Sequence, residues 1–418
     1  MKALLLLLCL VSVAQANEKE EFRGILRDFI QQDPTFKEVD FQTPYFEAQL
    51  KQGFSQLALP KVRLSYGLYE QHNNISVVNS ASRYKIGSLT ASYDIFSFGS
   101  DWSFYQATRH ERRAQIERVS LQLMRREAEV AALLLDYLKG SRNIDILSRL
   151  VEMKGRALDL SRKRYERGSL SQQDFQKVEL DVSNARGELL VAQQDFNELM
   201  ARVHAYGIEK LPVAYPWEKN LTLPAIKEIE LLDAKVEDLP QFKEPHHNYE
   251  AADYRTNAAF GDMFGQVRLD FSRNMYQFPG QDDQYEWRTA LIYTLPLFEG
   301  FTQYTELQRA AALRNAYEVR QRFERQLATR QQDAQKANLQ VSWKNWVERR
   351  DALKTSTKLY NGSLNQFNQG QLSVNELLVD QDRLLRTEQI ANSAIHQLHG
   401  TVLNFCHSRG QAFVKGCF

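Results

Sequence analysis

Nitrogen and sulfur donors gather towards the C-terminal end of this chain. His396 and His399 lie on one predicted helix, and Cys406-His407 follows. Such donors suit zinc or copper, but their spacing fits no metal-binding template. Cys406 also has a competing use, because Cys417 stands close behind it. In an exported chain the two would meet an oxidising compartment, where a disulfide could close the tail; two free thiols are the alternative. His246-His247 lies beside Pro245 and reads as solvated linker. No phosphate-binding loop, dinucleotide glycine fingerprint or zincin helix occurs. Gly168 and Gly370 are lone helix breakers, not phosphate cradles. Acidic residues are many, yet no pair is singled out for acid–base work. The expectation is a protein that is not an enzyme, with no catalytic residue, no metal and no cofactor.

The bulk composition narrows the classes further. Lys and Arg number 53 against 52 Asp and Glu, so there is no basic excess to neutralise nucleic-acid phosphates. The N-terminus carries an export signal. Met1-Lys2 is basic, Ala3 to Val13 is almost wholly apolar, and Ala14-Gln15-Ala16 is an A-x-A cleavage site. Residues 1–16 are therefore read as a signal peptide. The apolar run falls short of the roughly 20 residues that cross a bilayer. No cysteine follows the cleavage site to take a lipid. No later segment resembles a transmembrane helix, which leaves a periplasmic, secreted or β-barrel fate.

Two copies of one pattern fill the rest. The first repeat spans 17–209. It opens with helices near Glu18 to Gln32 and Tyr45 to Leu57. Val62, Leu64, Tyr66 and Leu68 then alternate with polar residues, so the period changes to that of a strand. Strands are expected at about 61–70 and 83–96. A helix over about 102–167 contains no proline and, at a rise of about 1.5 Å per residue, would be roughly 100 Å long. Its apolar residues recur at seven in adjacent registers: Ile116, Leu123, Val130 and Tyr137, and Leu121, Ala128 and Leu135. Such stripes suit a helix with a neighbour on each side. A proline-rich linker covers 210–224. The second repeat, 225–405, has strands at about 266–276 and 285–298 and a long helix at about 303–366; residues 406–418 form a tail. A constant shift of 202 relates the two. It places Leu89 on Leu291 and Phe96 on Phe298, and Gly168, Ser171 and Asp174 on Gly370, Ser373 and Glu376.

The strand count has a physical consequence. Four strands cannot close a transmembrane barrel, whose smallest members have eight. Other subunits must complete the sheet, and three copies would supply twelve strands. Aromatics flank both hairpins, among them Tyr66, Tyr69, Tyr84, Tyr93, Trp287 and Tyr293, as in the girdles of membrane barrels.

The residues resemble the TolC-like outer-membrane efflux protein family across nearly the whole mature chain. The most specific pieces are Tyr293-Thr294-Leu295-Pro296-Leu297-Phe298-Glu299-Gly300 and two helix breaks, Arg164-Tyr165-Glu166-Arg167-Gly168-Ser169-Leu170-Ser171 and Gln366-Phe367-Asn368-Gln369-Gly370-Gln371-Leu372-Ser373. The resemblance implies a mainly α fold with a small β part. As a homotrimer it would form a 12-stranded outer-membrane β-barrel continued by a long periplasmic α-barrel. It implies an exit duct of a tripartite efflux pump or type I secretion system. The partners would be outer-membrane lipid, a periplasmic adaptor and an inner-membrane transporter. A periplasmic coiled-coil structural or adaptor protein is the alternative. The resemblance puts Gly168 and Gly370 at the periplasmic tip and Asp174 and Glu376 at acidic aperture positions. Three copies of Glu376 would make a cation-favouring ring; the competing role is a first-turn acid that caps its helix. Phe367 and Leu372 replace a family tyrosine and arginine at the closing contact, and could close the tip by apolar packing. A further acidic position falls at Val379, with Asp380 beside it.

Overall fold

The computed structural model describes residues 21–73, 80–215, 235–278 and 282–410. The expected signal peptide, Cys417 and most of the linker lie outside them. A helix over 21–32 (α1) leads into α2 (Pro34–Ala58), β1 (Lys61–Asn73), β2 (Ser80–Phe96), α3 (Ser100–Glu166) and α4 (Gln172–Ala205). After a short 3-10 turn come α5 (Pro240–Asp262), β3 (Gln266–Gln277), β4 (Gln284–Thr294), α6 (Thr302–Asn368) and α7 (Val374–Ser408).

The shift of 202 reappears as geometry. Both long helices have 67 residues, starting at Ser100 and Thr302 and ending at Glu166 and Asn368. Even the turns that launch them match. Ser100 N–H donates to Ser97 O at 2.9 Å and Thr302 N–H to Glu299 O at 3.2 Å. Each turn has two successive left-handed residues, with the order of glycine and phenylalanine reversed: Phe98 (φ 50°) and Gly99 (φ 83°), then Gly300 (φ 60°) and Phe301 (φ 65°). A phenylalanine in this region is strained. Phe98 is held there by Phe96 and Phe264, at ring distances of 4.8 and 5.8 Å.

Three expectations need correction. The second helix begins at Pro34, not near Tyr45; proline suits a first helical position because its missing N–H would be unpaired there. The last strand stops at Thr294, not near residue 298, since Pro296 cannot donate to a ladder. His246-His247 is helical, not linker. Pro240 opens α5 and Pro245 falls in its second turn, so these prolines mark a start.

The chain divides into two compact units, and the boundary falls inside α2, α3 and α6. In the unit formed by Val39–Val119 and Pro240–Gln326, the four strands make one antiparallel sheet in the order β1-β2-β3-β4. Register fixes its two faces. Val62 pairs with Ala91, Leu64 with Leu89, Leu269 with Leu291, and Val267 with Tyr293, which puts apolar side chains together on one face. That face is open: Leu64 is 78% exposed and Trp287 74%. The opposite face is polar. Ser88 donates to Asn274 at 2.7 Å, and Asp94 accepts from Arg268 at 2.8 Å with Lys61 at 3.5 Å. The same register divides the aromatics. Tyr66, Tyr93 and Trp287 share the apolar face, whereas Tyr69 and Tyr84, stacked at 5.7 Å, stand on the polar one.

The other unit, Met1–Glu38, Ser120–Leu239 and Leu327–Phe418, holds the main core. Phe22 and Leu26 of α1 pack with Leu134 and Leu138 of α3, Leu339 of α6 and Leu398 of α7. Beside it, buried Asp33 accepts from Arg126 Nε at 3.1 Å, and the guanidinium lies 4.5 Å from the Tyr206 ring centre.

Two glycine substitutions should act in opposite directions. A Cβ at Gly265 (φ 79°) would stand 2.0 Å from Thr294 O, so Gly265→Ala should cost at least about 2 kcal/mol. Gly155, inside α3, has nothing within 4 Å of its Cβ direction, so Gly155→Ala should stabilise by about 0.5–1 kcal/mol. Thermal unfolding of the purified protein reads both.

Candidate functional site

The two helix breaks are built alike, atom by atom. Ser169 N–H donates to Arg164 O at 2.9 Å and Gly168 N–H to Tyr165 O at 2.9 Å. The second break repeats this with Gln371 to Gln366 O at 2.9 Å and Gly370 to Phe367 O at 3.0 Å. Both patterns are Schellman closures, which need a left-handed residue after the helix. Gly168 (φ 70°) and Gly370 (φ 74°) supply it without a Cβ penalty.

The next helices are then started by serines. Ser171 Oγ accepts from Asp174 N–H at 3.1 Å and Ser373 Oγ from Glu376 N–H at 3.3 Å. Glu376 reciprocates: its Oε2 accepts from Ser373 N–H at 3.0 Å, completing a capping box. Asp174 accepts from Ser171 Oγ at 2.7 Å and from Lys177 Nζ at 3.2 Å. So both acids cap their helices, the role that competed with the ring. Glu376 stays exposed while doing so. The Ser373 hydroxyl and amide hold its carboxyl below the usual glutamate range. The Ser171 hydroxyl, Lys177 and Asn375 do the same for Asp174. Both are therefore anionic at neutral pH.

The two breaks are joined side by side. Asn375 Nδ2 donates to Asp174 Oδ1 at 3.5 Å. Arg164 Nη2 donates to Phe367 O at 3.1 Å, and its guanidinium lies 4.3 Å from the Phe367 ring centre. A cation thus meets the carbonyl end of α6, where the helix dipole favours it. The ring itself is only 1% exposed and packs with Val178, Tyr360, Val374 and Leu377. Phe367, expected at the closing contact, is thus buried in a cluster of the chain's own residues. Leu372 is half-buried against the same cluster. Asp380 is engaged as well, by Ser363 Oγ at 2.5 Å and Arg383 Nη1 at 3.0 Å. Val379 is 56% exposed.

Further along the same bundle lies a residue that sequence reading passed over. Lys154 is almost fully buried on α3, with Nζ 2.8 Å from Asp382 and 3.9 Å from Asp181. It ties α3 to α4 and α7 together. Its signal was present in the sequence, since Leu147, Lys154 and Ser161 recur at seven and all three are buried.

The C-terminal donors do not converge. His396 Nε2 lies 2.9 Å from Asp136 Oδ1, and His399 Nδ1 lies 2.8 Å from Ile395 O inside the core, where burial lowers its pKa to about 4. Cys406 is disulfide-bonded; its expected partner Cys417 lies outside the described residues. Among the described residues, no group of three or more His, Cys, Asp or Glu is arranged to hold a metal ion.

Comparison with known proteins gives concordant results. Residues 25–205 match the model of a family described as outer membrane efflux protein. A sequence comparison with curated proteins finds no match. Among solved structures, the outer membrane protein VceC of Vibrio cholerae aligns with a TM-score of 0.80 at 15% identity, covering 96% of this chain and 98% of its own. The open state of the Neisseria gonorrhoeae MtrE outer membrane channel gives 0.78 at 17%, covering 94% and 89%. The Campylobacter jejuni CmeC outer membrane channel gives 0.76 at 14%, covering 94% and 86%.

Truncations should separate packing from capping at the helix breaks. Phe367→Ala should cost about 3–5 kcal/mol, as for a buried aromatic. Ser373→Ala, which removes only a cap, should cost about 1 kcal/mol. Chemical denaturation followed by circular dichroism measures both.

Proposed function

We propose that this chain, which resembles the TolC-like outer-membrane efflux protein family in its whole fold and in the sequence of its first repeat, is an outer-membrane channel that works as a homotrimer. One observation carries this reading. The sheet is apolar and open to solvent on one face and polar on the other, and among the described residues β1 and β4 each pair on one side only. Among the described residues no helix is long and apolar enough to cross a membrane. Edge strands carry unpaired N–H and C=O groups that lipid cannot satisfy. Three copies of a four-stranded sheet would pair every edge and close a twelve-stranded barrel. Its apolar face would meet lipid; its polar face, with Arg63, Asp94, Arg268 and Asn274, would line water.

In this reading the helices form the periplasmic extension, and the paired breaks form its entrance. The chain supplies no covalent chemistry and acts as a passive exit duct. Substrates come from an inner-membrane transporter through a periplasmic adaptor, in a tripartite efflux pump or a type I secretion system. Glu376 and Asp174 line the entrance as anions. The capping hydrogen bonds fix their carboxylates in place and keep them ionised, so three protomers would present a ring that favours multivalent cations. A disulfide between Cys406 and Cys417 would tether the tail to α7.

Detergent extraction of membrane fractions tests the location. The protein should be recovered from the outer membrane as a heat-sensitive trimer; recovery only from the soluble periplasm would sink the channel. Planar-bilayer recordings test the ring. Glu376→Ala should weaken block by a trivalent cation at least tenfold, and unchanged block would show that the residue faces elsewhere. Because both acids titrate below their ordinary ranges (4.5 for Glu, 3.8 for Asp), block by the unaltered protein should persist from pH 7 down to 4.5 and fade only in stronger acid.

A further inference from the structure

Three of the eight histidines meet in a place that a passive duct does not use. His110 of α3 faces His247 of α5 with ring centres 5.5 Å apart, and His247 lies 5.5 Å from His246. Tyr254 stacks on the far side of His110 at 5.5 Å, and Phe242 on the far side of His246 at 6.0 Å. The result is one unbroken run of five rings, Tyr254–His110–His247–His246–Phe242, in which α3 inserts a single imidazole into a row built by α5. The Nδ1 atoms of His110 and His247 are buried and have no hydrogen-bond partner.

The surroundings make a positive charge costly here. Arg109 and Arg113 face the cluster from α3, and Lys243 and Glu250 face it from α5. From α6 comes neutral Gln321, 2.9 Å from His246 Nδ1. Three cations and one carboxylate already surround the imidazoles. Each new proton would be buried, repelled by the basic side chains, and repelled again by the neighbouring ring. The other ties between α3 and α5 are of a different kind. Arg255 Nε donates to Glu111 at 2.6 Å and Ser100 Oγ to Asp262 at 2.5 Å, and Gly261 brings α5 against the backbone of Phe98 and Ser100. None of these contains an imidazole.

We propose that this run of rings is an acid-sensitive clasp, which holds the N-terminal half of α5 on α3 while His110 and His247 are neutral and releases it when they are protonated. The sign follows from linkage. Burial lowers the pKa of His110, and lowers that of His247 to about 4, from the ordinary 6.5. The released state therefore binds more protons across that interval. The clasp is fully closed above pH 6.5 and weakens as pH falls towards 4. Each participating histidine raises the released population by up to about tenfold per pH unit. Release stops before residues 255–262, because the close approach of Gly261 to the backbone of Phe98 and Ser100 does not depend on protonation. The device would let an exported chain respond to external acid in the segment that leads into β3.

Hydrogen–deuterium exchange on the purified full-length protein in detergent tests this, with rates corrected for the intrinsic effect of pH. Peptides from 240–250 should exchange at least tenfold faster at pH 4.5 than at pH 7.5, while peptides from 255–262 stay unchanged. The double variant His110→Gln/His247→Gln should lose the difference. No acid-dependent gain over 240–250 overturns the proposal, and so does a gain that the double variant keeps in full. A second arm avoids reliance on the double variant. Melting temperatures between pH 6.5 and 4.5 should fall less in His247→Gln than in the unaltered protein, whereas His204→Gln, at an exposed position on α4, should match it. Equal slopes for His247→Gln and the unaltered protein overturn the clasp.

Discussion

The structure depends on a backbone constraint: a four-stranded sheet has two edges, and every edge group needs a partner. In water the edges could be solvated. Here that solution conflicts with the side chains, because one whole face of the sheet is apolar and open. In the proposed outer-membrane setting that face meets lipid, where solvated edges are excluded. In the proposed assembly, pairing with further copies of the same sheet satisfies the edges and leaves the register unchanged. The proposed trimer and membrane location thus rest on one hydrogen-bonding requirement.

The helical part is organised differently. Its stability rests on ordinary burial, with Phe22, Leu134 and Leu398 at the centre of one core. What is distinctive is how sharply the helices turn back. Each reversal combines a glycine-closed C-terminus with a serine-capped N-terminus, and each satisfies its own end groups locally. Such turns need little help from tertiary contacts, so they remain exposed and still well defined. Their acids stay anionic for the same reason. Polar links then knit the two reversals together, through Arg164 on the Phe367 carbonyl and Asn375 on Asp174. Lys154, bridging Asp382 and Asp181, repeats that theme deeper in the bundle.

Local signals were legible without any structure. The period of two at Val62 to Leu68, the absence of proline over the long helices and the paired glycine breaks depend only on residues close in sequence. The constant shift of 202 carried those signals from one repeat to the other, and the starts and ends of α3 and α6 obey it. Prolines were the main source of error. The segment beside Pro245 was read as linker, and the helix that Pro34 opens was expected only from near Tyr45, although proline is as compatible with the first turns of a helix as with its end.

What sequence decided, then, is everything that backbone periodicity and local capping decide: which segments are helix or strand, where they reverse, and that the unit occurs twice. It also placed Asp174 and Glu376 in matching positions. Tertiary structure decided what each side chain faces. Tyr66 and Tyr69 look alike as aromatics near a strand, yet the register sends one to the apolar face and the other to the polar face. Phe367 was expected at a closing contact, and the structure shows its ring buried in the chain's own cluster. His110 lies far in sequence from His246 and His247, and only the packing of α3 on α5 joins them into one row of rings. The physical reason is common to all three. A sequence sets the spacing of side chains along an element, but which neighbour they meet depends on register and helix packing, and these are settled only when distant parts of the chain come together.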